Sequence, residues 1–154
     1  MKTGAEYALM HDAKAFVFVD GDGQHMPEEL PLFLNALNKG NAIVFSYRKR
    51  VGTMPLLRRL GNWFMCVIIK IFYNITLRDA LSGYRAMNAA AYKKTRWKSQ
   101  DYTVESEMIA NAGMNILKYT ELEIATIYHD SYKGMTIIDG IPIVFKLIWW
   151  RMTR

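Results

Sequence analysis

The chain reads as an α/β domain built on a mostly parallel sheet with flanking helices. Two patterns predict this. Ala15-Phe16-Val17-Phe18-Val19 is an apolar run, rich in β-branched and aromatic side chains, that passes directly into Asp20-Gly21-Asp22-Gly23; this is the signature of a buried strand ending in an acidic loop. A helical pattern then opens at Pro27 and a second apolar run follows at 42–45, and strand, helix and strand in that order imply a parallel pair with a right-handed crossover. In such sheets ligands lie at the carboxyl ends of the strands, so Asp20 and Asp22 stand where a ligand would be held.

The chemistry of that pair suits a metal. Two carboxylates close together at the rim of an apolar core repel unless a proton or a cation intervenes. Mg²⁺ or Mn²⁺ takes oxygen ligands, commonly one or two carboxylates with water and substrate phosphates in the remaining positions. Gln24 adds an amide oxygen on the same alternation, and Gly21 and Gly23 permit close backbone approach. An exposed Asp/Gly turn with no ligand is the plainer reading of the same residues.

Composition bounds the rest. The 154 residues, 51% of them hydrophobic, make one domain or part of one, with enough apolar material for a core. Twenty basic residues against 14 acidic leave a net charge of +6, which suits an anionic partner: nucleic acid, a phosphorylated substrate or an acidic lipid surface. Cys66 is the single cysteine, so no internal disulfide forms and a reducing compartment is favoured. Residues 1–10 carry Lys2 and Glu6 without a long apolar stretch and are not a secretory signal.

Along the chain, 1–11 reads as a helix with Ala5, Ala8 and Leu9 on its apolar side and Asp12 at its end. In 27–37, Pro27 fits the first turn, Glu28 and Glu29 complement the helix dipole, and Leu30, Phe33, Leu34 and Leu37 form the expected buried stripe. The strand at 42–45 delivers Ser46-Tyr47-Arg48 at its exit, on the same edge as Asp20 and Asp22. The longest helix, 56–73, has an apolar face of Leu56, Leu57, Leu60, Phe64, Val67, Ile68, Ile71 and Phe72, with Arg58, Arg59 and Asn62 at its start. That run is too short to cross a bilayer, which needs roughly 20 apolar residues; both a core helix and, given Trp63 and Tyr73, an interfacial one are consistent with it. Then come an expected strand at 81–87, a brief helix at 89–94, a helix at 103–112, strands at 115–119 and 122–128, and a final helix ending near Trp150. Ile141, Val144, Phe145, Trp149 and Trp150 with Arg151 and Arg154 suggest an interfacial or juxtamembrane helix over 134–154, after a domain spanning 1–133. Pro142 and Lys146 argue against a full membrane span, and His129 has no nucleophile partner at a recognisable spacing.

Several segments carry a family resemblance. Asp20-Gly21-Asp22-Gly23-Gln24-His25-Met26-Pro27-Glu28-Glu29-Leu30 resembles the Asp-x-Asp segment of family 2 glycosyltransferases, in particular dolichol-phosphate mannose synthases and polyprenyl-phosphate glycosyltransferases. Ser46-Tyr47-Arg48, Met54 to Asn62, Asp79-Ala80-Leu81-Ser82-Gly83-Tyr84-Arg85 and Val104-Glu105-Ser106-Glu107-Met108 match in the family's order. The resemblance implies a GT-A (Rossmann-like) nucleotide-sugar transferase fold, of which this chain resembles the carboxyl-terminal portion. The family's initial strand with a Pro-x-Tyr-Asn-Glu type motif, and the second strand that completes the nucleotide site, have no counterpart here, so the chain reads as truncated at its amino terminus.

The resemblance also assigns roles. Asp20, Asp22 and Gln24 would hold a divalent metal, Mg²⁺ or Mn²⁺, on the diphosphate of a nucleotide sugar. Arg48, Arg58 and Asn62 would bind the acceptor phosphate, and Arg85 either a phosphate or an acidic loop residue. Asp22, Asp79 and Glu105 occupy catalytic positions, Asp79 bordering the sugar pocket and Glu105 its acceptor side. Glu105 and Glu107 lie two apart on a helix and cannot both face one site. Read without the family, the basic clusters are a solvated face, and Asp79 and Arg85 are structural ion-pair residues. The implied activity is metal-dependent sugar transfer from a nucleotide-diphosphate sugar to a dolichyl or undecaprenyl phosphate at the cytoplasmic face of the cell membrane, peripheral or anchored by segments absent from this chain, with no nucleic-acid partner. Two rivals stand beside it: a truncated, non-catalytic membrane-associated module, and a haloacid-dehalogenase-like phosphatase with Asp20 as nucleophile, whose later acidic motif is not visible. An EF-hand is excluded, because counting from Asp20 puts Pro31 where the bidentate Glu must stand.

Overall fold

The computed structural model describes residues 1–49, 56–100, 103–125 and 137–153. Helix α1 (Lys2–Met10) stops where Asp12 turns into the left-handed region at φ 61°, a conformation Asp tolerates better than most residues. Strand β1 (Ala15–Phe18) leads into the acidic loop. The expected helix at 27–37 divides into a short 3₁₀ turn, Pro27–Glu29, and α2 (Leu30–Asn38). Then follow β2 (Ile43–Arg48), α3 (Leu56–Tyr73), β3 (Arg85–Asn88), α4 (Ala89–Thr95), α5 (Val104–Met114), β4 (Tyr119–Ile124) and α6 (Ile137–Thr153).

The sheet is mixed, in the order β1-β3-β2-β4. Strands β1, β2 and β4 share a direction, but β3 runs against them and lies between β1 and β2, pairing Phe18 with Arg85 on one side and Val44 with Ala86 on the other. The two strands expected to be neighbours are therefore co-directional without touching. Only β2 and β4 form a parallel pair, from Ile43 beside Tyr119 to Arg48 beside Ile124.

Alternation along the strands builds two apolar layers. Val44, Ala86 and Ile124 meet Phe33, Ala36 and Leu37 of α2 on one face. Phe16, Phe18, Ile43, Phe45 and Met87 point to the other face, where they join side chains of α1, α3, α4, α5 and α6 around Tyr92, Trp97 and Met108. Helix α6 packs against α3 and α5, and the Tyr73 hydroxyl donates to the Leu147 carbonyl to tie α3 to α6. Glu6 fastens α1 to α4, accepting from Tyr92 Oη and from Arg96 Nη2, each at 2.8 Å. Burial pushes the Cys66 thiol up to about 11, so it stays protonated and poorly nucleophilic at neutral pH.

Four readings from the sequence are revised. On α2, Leu30 and Leu34 are exposed and Ala36 takes the buried place between Phe33 and Leu37. On α3 the buried stripe is Met65, Ile69 and Tyr73, while Leu60, Trp63, Phe64 and Ile71 are exposed; where apolar residues surround a helix, periodicity does not say which stripe faces the core. Residues 81–84 are a loop, with the strand beginning only at Arg85. The strand expected at 115–119 is largely a turn, with Ile116 at φ 50°, so a single strand, β4, follows. The boundary expected at 133/134 and the segment 126–136, including His129, lie outside the described residues.

The two stripes of α3 make opposite predictions. Ile69, with no exposed surface, is expected to lose about 2–5 kcal/mol of stability on replacement by Ala, whereas Ile71→Ala is expected to change it by no more than about 0.5 kcal/mol. Urea unfolding of both variants measures the difference.

Candidate active site

Because β3 runs backwards, its beginning, not its end, meets the carboxyl ends of β1 and β2. That brings the 79–84 loop against the acidic loop after β1. Asp20 is half-exposed, at 52% of its side-chain surface, and its carboxylate lies against the bare Cα of Gly83: a Cβ there would stand 2.1 Å from Oδ2 and 2.7 Å from Cγ. Asp22 Oδ1 accepts the Gln24 amide at 3.0 Å, an Asx turn that curls the loop with Gly23 at φ 77°. His25, only 6% exposed, sets Nε2 4.0 Å from Asp20 Oδ2. Its ring packs on Tyr84, centroids 5.4 Å apart, and its buried Nδ1 has no hydrogen-bond partner.

The end of β2 supplies the cation. Arg48 Nε donates to Asp79 Oδ2 at 2.6 Å and Nη2 to Oδ1 at 3.1 Å, a bidentate pair that fixes the guanidinium plane. Asp79 Oδ1 also accepts the Leu81 amide. Asn62 braces the same loop, accepting the Ala80 amide at 3.1 Å and donating to the Arg78 carbonyl at 3.3 Å. Ser46, earlier on β2, donates Oγ to the Tyr84 carbonyl and lies 2.6 Å from Ser82 Oγ, both serines being buried. Beside them Arg78 reaches the Tyr47 hydroxyl at 2.8 Å, and its amide donates to Glu121, whose carboxyl is pushed up from its ordinary value by burial.

The phosphate role read for Arg85 is not compatible with its position. The residue is 1% exposed, and its guanidinium is spent on backbone carbonyls: Nε on Ser82 at 2.9 Å, Nη1 on Glu105 at 2.8 Å and Nη2 on Ala80 at 3.0 Å. Burial draws its pKa down, while Glu105, Asp79 and Asp20 pull it back up. Of the two glutamates opening α5, Glu107 is fully buried and accepts from the amides of Lys98 and Ser99 and from Ser99 Oγ; Glu105 is only partly buried. The side chain of Arg58 lies outside the described residues.

Sequence reasoning expected Arg48 on the same edge as Asp20 and Asp22; the structure sets Asp20 against Gly83 and Arg48 against Asp79, two contacts on one loop. Sequence reasoning missed Gly83 and His25 as neighbours of Asp20, and the buried Ser46 and Ser82. The Ser-Gly pair and the His directly after Gln24 were the available signals. Among the described residues no three His, Cys, Asp or Glu side chains converge on one point, and neither Asp20 nor Asp22 is ion-paired to a Lys or Arg. Two uncompensated carboxylates and an amide fit a hard cation that keeps water or phosphate in its other positions, as Mg²⁺ and Mn²⁺ do.

The fold is of the GT-A type. The crystal structure of Mycobacterium tuberculosis glucosyl-3-phosphoglycerate synthase in complex with UDP matches with a TM-score of 0.66 over 92% of this chain and 50% of that one, at 16% identity. Sequence narrows it. An uncharacterised protein of Methanocaldococcus jannaschii is 32% identical over 95% of this chain and 64% of its own length. The UDP-N-acetylglucosamine–dolichyl-phosphate N-acetylglucosaminyltransferase of Methanococcus voltae is 28% identical over 99% of this chain and 64% of its own. The chain thus spans 64% of the length of both relatives. No family model matches. In sequence the chain is therefore similar to proteins named as dolichyl-phosphate and undecaprenyl-phosphate sugar transferases, and it shares the fold of glucosyl-3-phosphoglycerate synthase.

Replacing Arg85 by Met keeps much of the side chain's volume but leaves three carbonyls without their donor. At about 1–3 kcal/mol for each unsatisfied group, the variant is expected to lose at least about 3 kcal/mol in urea unfolding.

Proposed function

We propose that this chain carries the acceptor and metal side of a transferase that moves a sugar from a nucleotide-diphosphate sugar to a polyprenyl phosphate, dolichyl or undecaprenyl, at the cytoplasmic face of the cell membrane. The observation that supports the reading is that one loop, 79–84, takes both contacts: Asp79 pairs with Arg48 at the end of β2, and Gly83 lies against Asp20 just after β1. Anionic groups and a planar cation share one rim, as a reaction between a diphosphate leaving group and a phosphate acceptor requires.

Asp20 and Asp22, with Gln24, would hold the divalent cation, which supplies Lewis-acid neutralisation of the charge developing on the diphosphate. The acceptor phosphate is already anionic at neutral pH, so positioning contributes more than proton removal. Arg48, its plane set by Asp79, suits that task because a guanidinium binds phosphate oxygens through paired donors. Arg58 is the second cation proposed there. Asn62 acts one step back, holding the loop that carries Asp79. Glu105, at the start of α5, or Asp79 would serve as base for a hydroxyl acceptor.

A membrane-surface position agrees with two helices that pack on each other. Helix α3 exposes Leu60, Trp63, Phe64 and Ile71, and α6 exposes Ile141, Phe145, Trp149 and Met152, with Phe145 at 69% and Trp149 at 65%. Exposed aromatic and aliphatic side chains beside Arg59, Lys70 and Arg151, all exposed, form an amphipathic surface of the kind that lies in a lipid interface. Among the described residues no helix is long and apolar enough to cross a membrane. We read 134–154 as the interfacial element and 1–133 as the partial transferase domain.

The test is sugar transfer from labelled UDP-, GDP- or dTDP-sugars to polyprenyl phosphate with Mn²⁺, with release of phosphate from a phosphomonoester followed in parallel. With a nucleotide-binding half supplied alongside this chain, transfer is expected, and Asp20→Asn or Asp22→Asn should reduce it by at least about 100-fold, the scale set by removing a group that stabilises developing charge. Phosphate release without transfer would favour the phosphatase, and neither activity would favour the non-catalytic module. Sedimentation with vesicles containing phosphatidylglycerol tests the surface: the chain should pellet with them, and the Phe145→Ser/Trp149→Ser variant should remain largely in solution.

A further inference from the structure

We propose that Gly83 is a positioning residue for the Asp20 carboxylate, with His25 as a second wall of the same seat. This rests on the reading that Asp20 and Asp22 hold a divalent cation. Asp20 occupies the space a side chain at 83 would fill: Oδ2, Cγ and Oδ1 all lie within 2.9 Å of where a Cβ would be. The three nearest atoms to that position all belong to the end of the Asp20 side chain. Gly83 does not adopt a left-handed backbone, its φ lying outside the range that L side chains avoid. The requirement for glycine here is therefore set by close approach of the carboxylate and not by backbone strain.

The same carboxylate oxygen has a second fixed neighbour. His25 is almost wholly buried, held against Tyr84, and presents Nε2 to the same Oδ2 at 4.0 Å. Tyr84 in turn stacks on Phe33 of α2, centroids 4.2 Å apart, so the imidazole rests on a rigid aromatic column. The loop around Gly83 is fixed as firmly, by Ser82 on Ser46 and by Arg85 on the Ser82 carbonyl. An otherwise exposed carboxylate thus has a bare backbone carbon and a fixed ring for neighbours. For a group that must meet a cation, limiting its rotamers before binding strengthens the interaction, and groups that orient ligands in this way typically contribute 10–100-fold to metal affinity.

A methyl group at 83 would push against the far end of a flexible side chain, so Asp20 would swing away at little cost to the fold. Gly83→Ala is therefore expected to unfold close to the wild-type urea midpoint yet bind Mn²⁺ at least about 10-fold more weakly, by titration calorimetry with the metal alone, and to give an altered Mn²⁺ paramagnetic resonance spectrum. In an Asp20→Asn background the same change should have no further effect on Mn²⁺ affinity. His25→Phe, which keeps a ring against Tyr84 without the nitrogen, tests the second wall and should weaken Mn²⁺ by a smaller factor. Wild-type Mn²⁺ affinity and spectrum in Gly83→Ala would overturn the proposal while leaving the metal reading intact. If the wild-type chain binds no Mn²⁺, or Asp20→Asn/Asp22→Asn binds it unchanged, the metal reading fails and takes this proposal with it.

Discussion

A single buried cation organises the functional edge of this molecule. Taking a guanidinium out of water costs several kcal/mol, and Arg85 offsets that cost only by serving three carbonyls, on Ala80, Ser82 and Glu105. Those acceptors belong to different parts of the fold. Two lie in the loop that enters β3 and the third opens α5, so the residue that starts the inserted strand also locks the loop before it and the helix beyond it. Asp79 and Gly83, the loop residues that meet Arg48 and Asp20, hold their places because this loop cannot drift. What resembled a substrate-binding arginine is the brace on which the binding residues depend.

Around that brace, charges are arranged in order of exposure. Arg85 is sealed, the Arg48–Asp79 pair is largely covered, and Asp20 and Asp22 reach solvent. A largely covered pair loses in desolvation much of what attraction gains, so the Arg48–Asp79 contact matters more for fixing a direction than for stability. The acidic loop is left without a cationic partner among the described residues, which is costly for a protein at rest and useful for one that receives a positively charged guest. On the far layer, α3 and α6 leave large apolar side chains in water although a buried stripe of α3 already satisfies the core. Patches of that kind mark contact surfaces.

The parts of this architecture that were legible in the sequence were those with a local cause. The apolar run into Asp20, the exit of Arg48 from its strand and the extents of α3 and α6 all follow from short-range patterning. The family resemblance supplied roles for Asp20, Asp22 and Arg48 that patterning alone left open against a solvated-turn or solvated-face reading. What was hidden depended on tertiary partners. Strand insertion is not encoded in a four-residue segment such as 85–88, so the apparent neighbours β1 and β2 turned out to be separated. Helix α3 is apolar on most sides, and only the placement of α5 and α6 decides that Ile69 is inside and Ile71 outside. An arginine in a Ser-Gly-Tyr-Arg stretch looks the same whether it meets a phosphate or three carbonyls.

The reversed strand also polarises the sheet end to end. Asp20, Asp22, Arg48 and Asp79 sit where β1 and β2 finish, whereas the turn at Lys39 and Gly40, exposed, enters β2 from its other end. Gly40 at φ 84° does not suit a side chain, so the exposed Lys39 beside it is the natural attachment point for a fluorophore. A reporter fixed there would leave the opposite rim, and whatever docks on it, unobstructed.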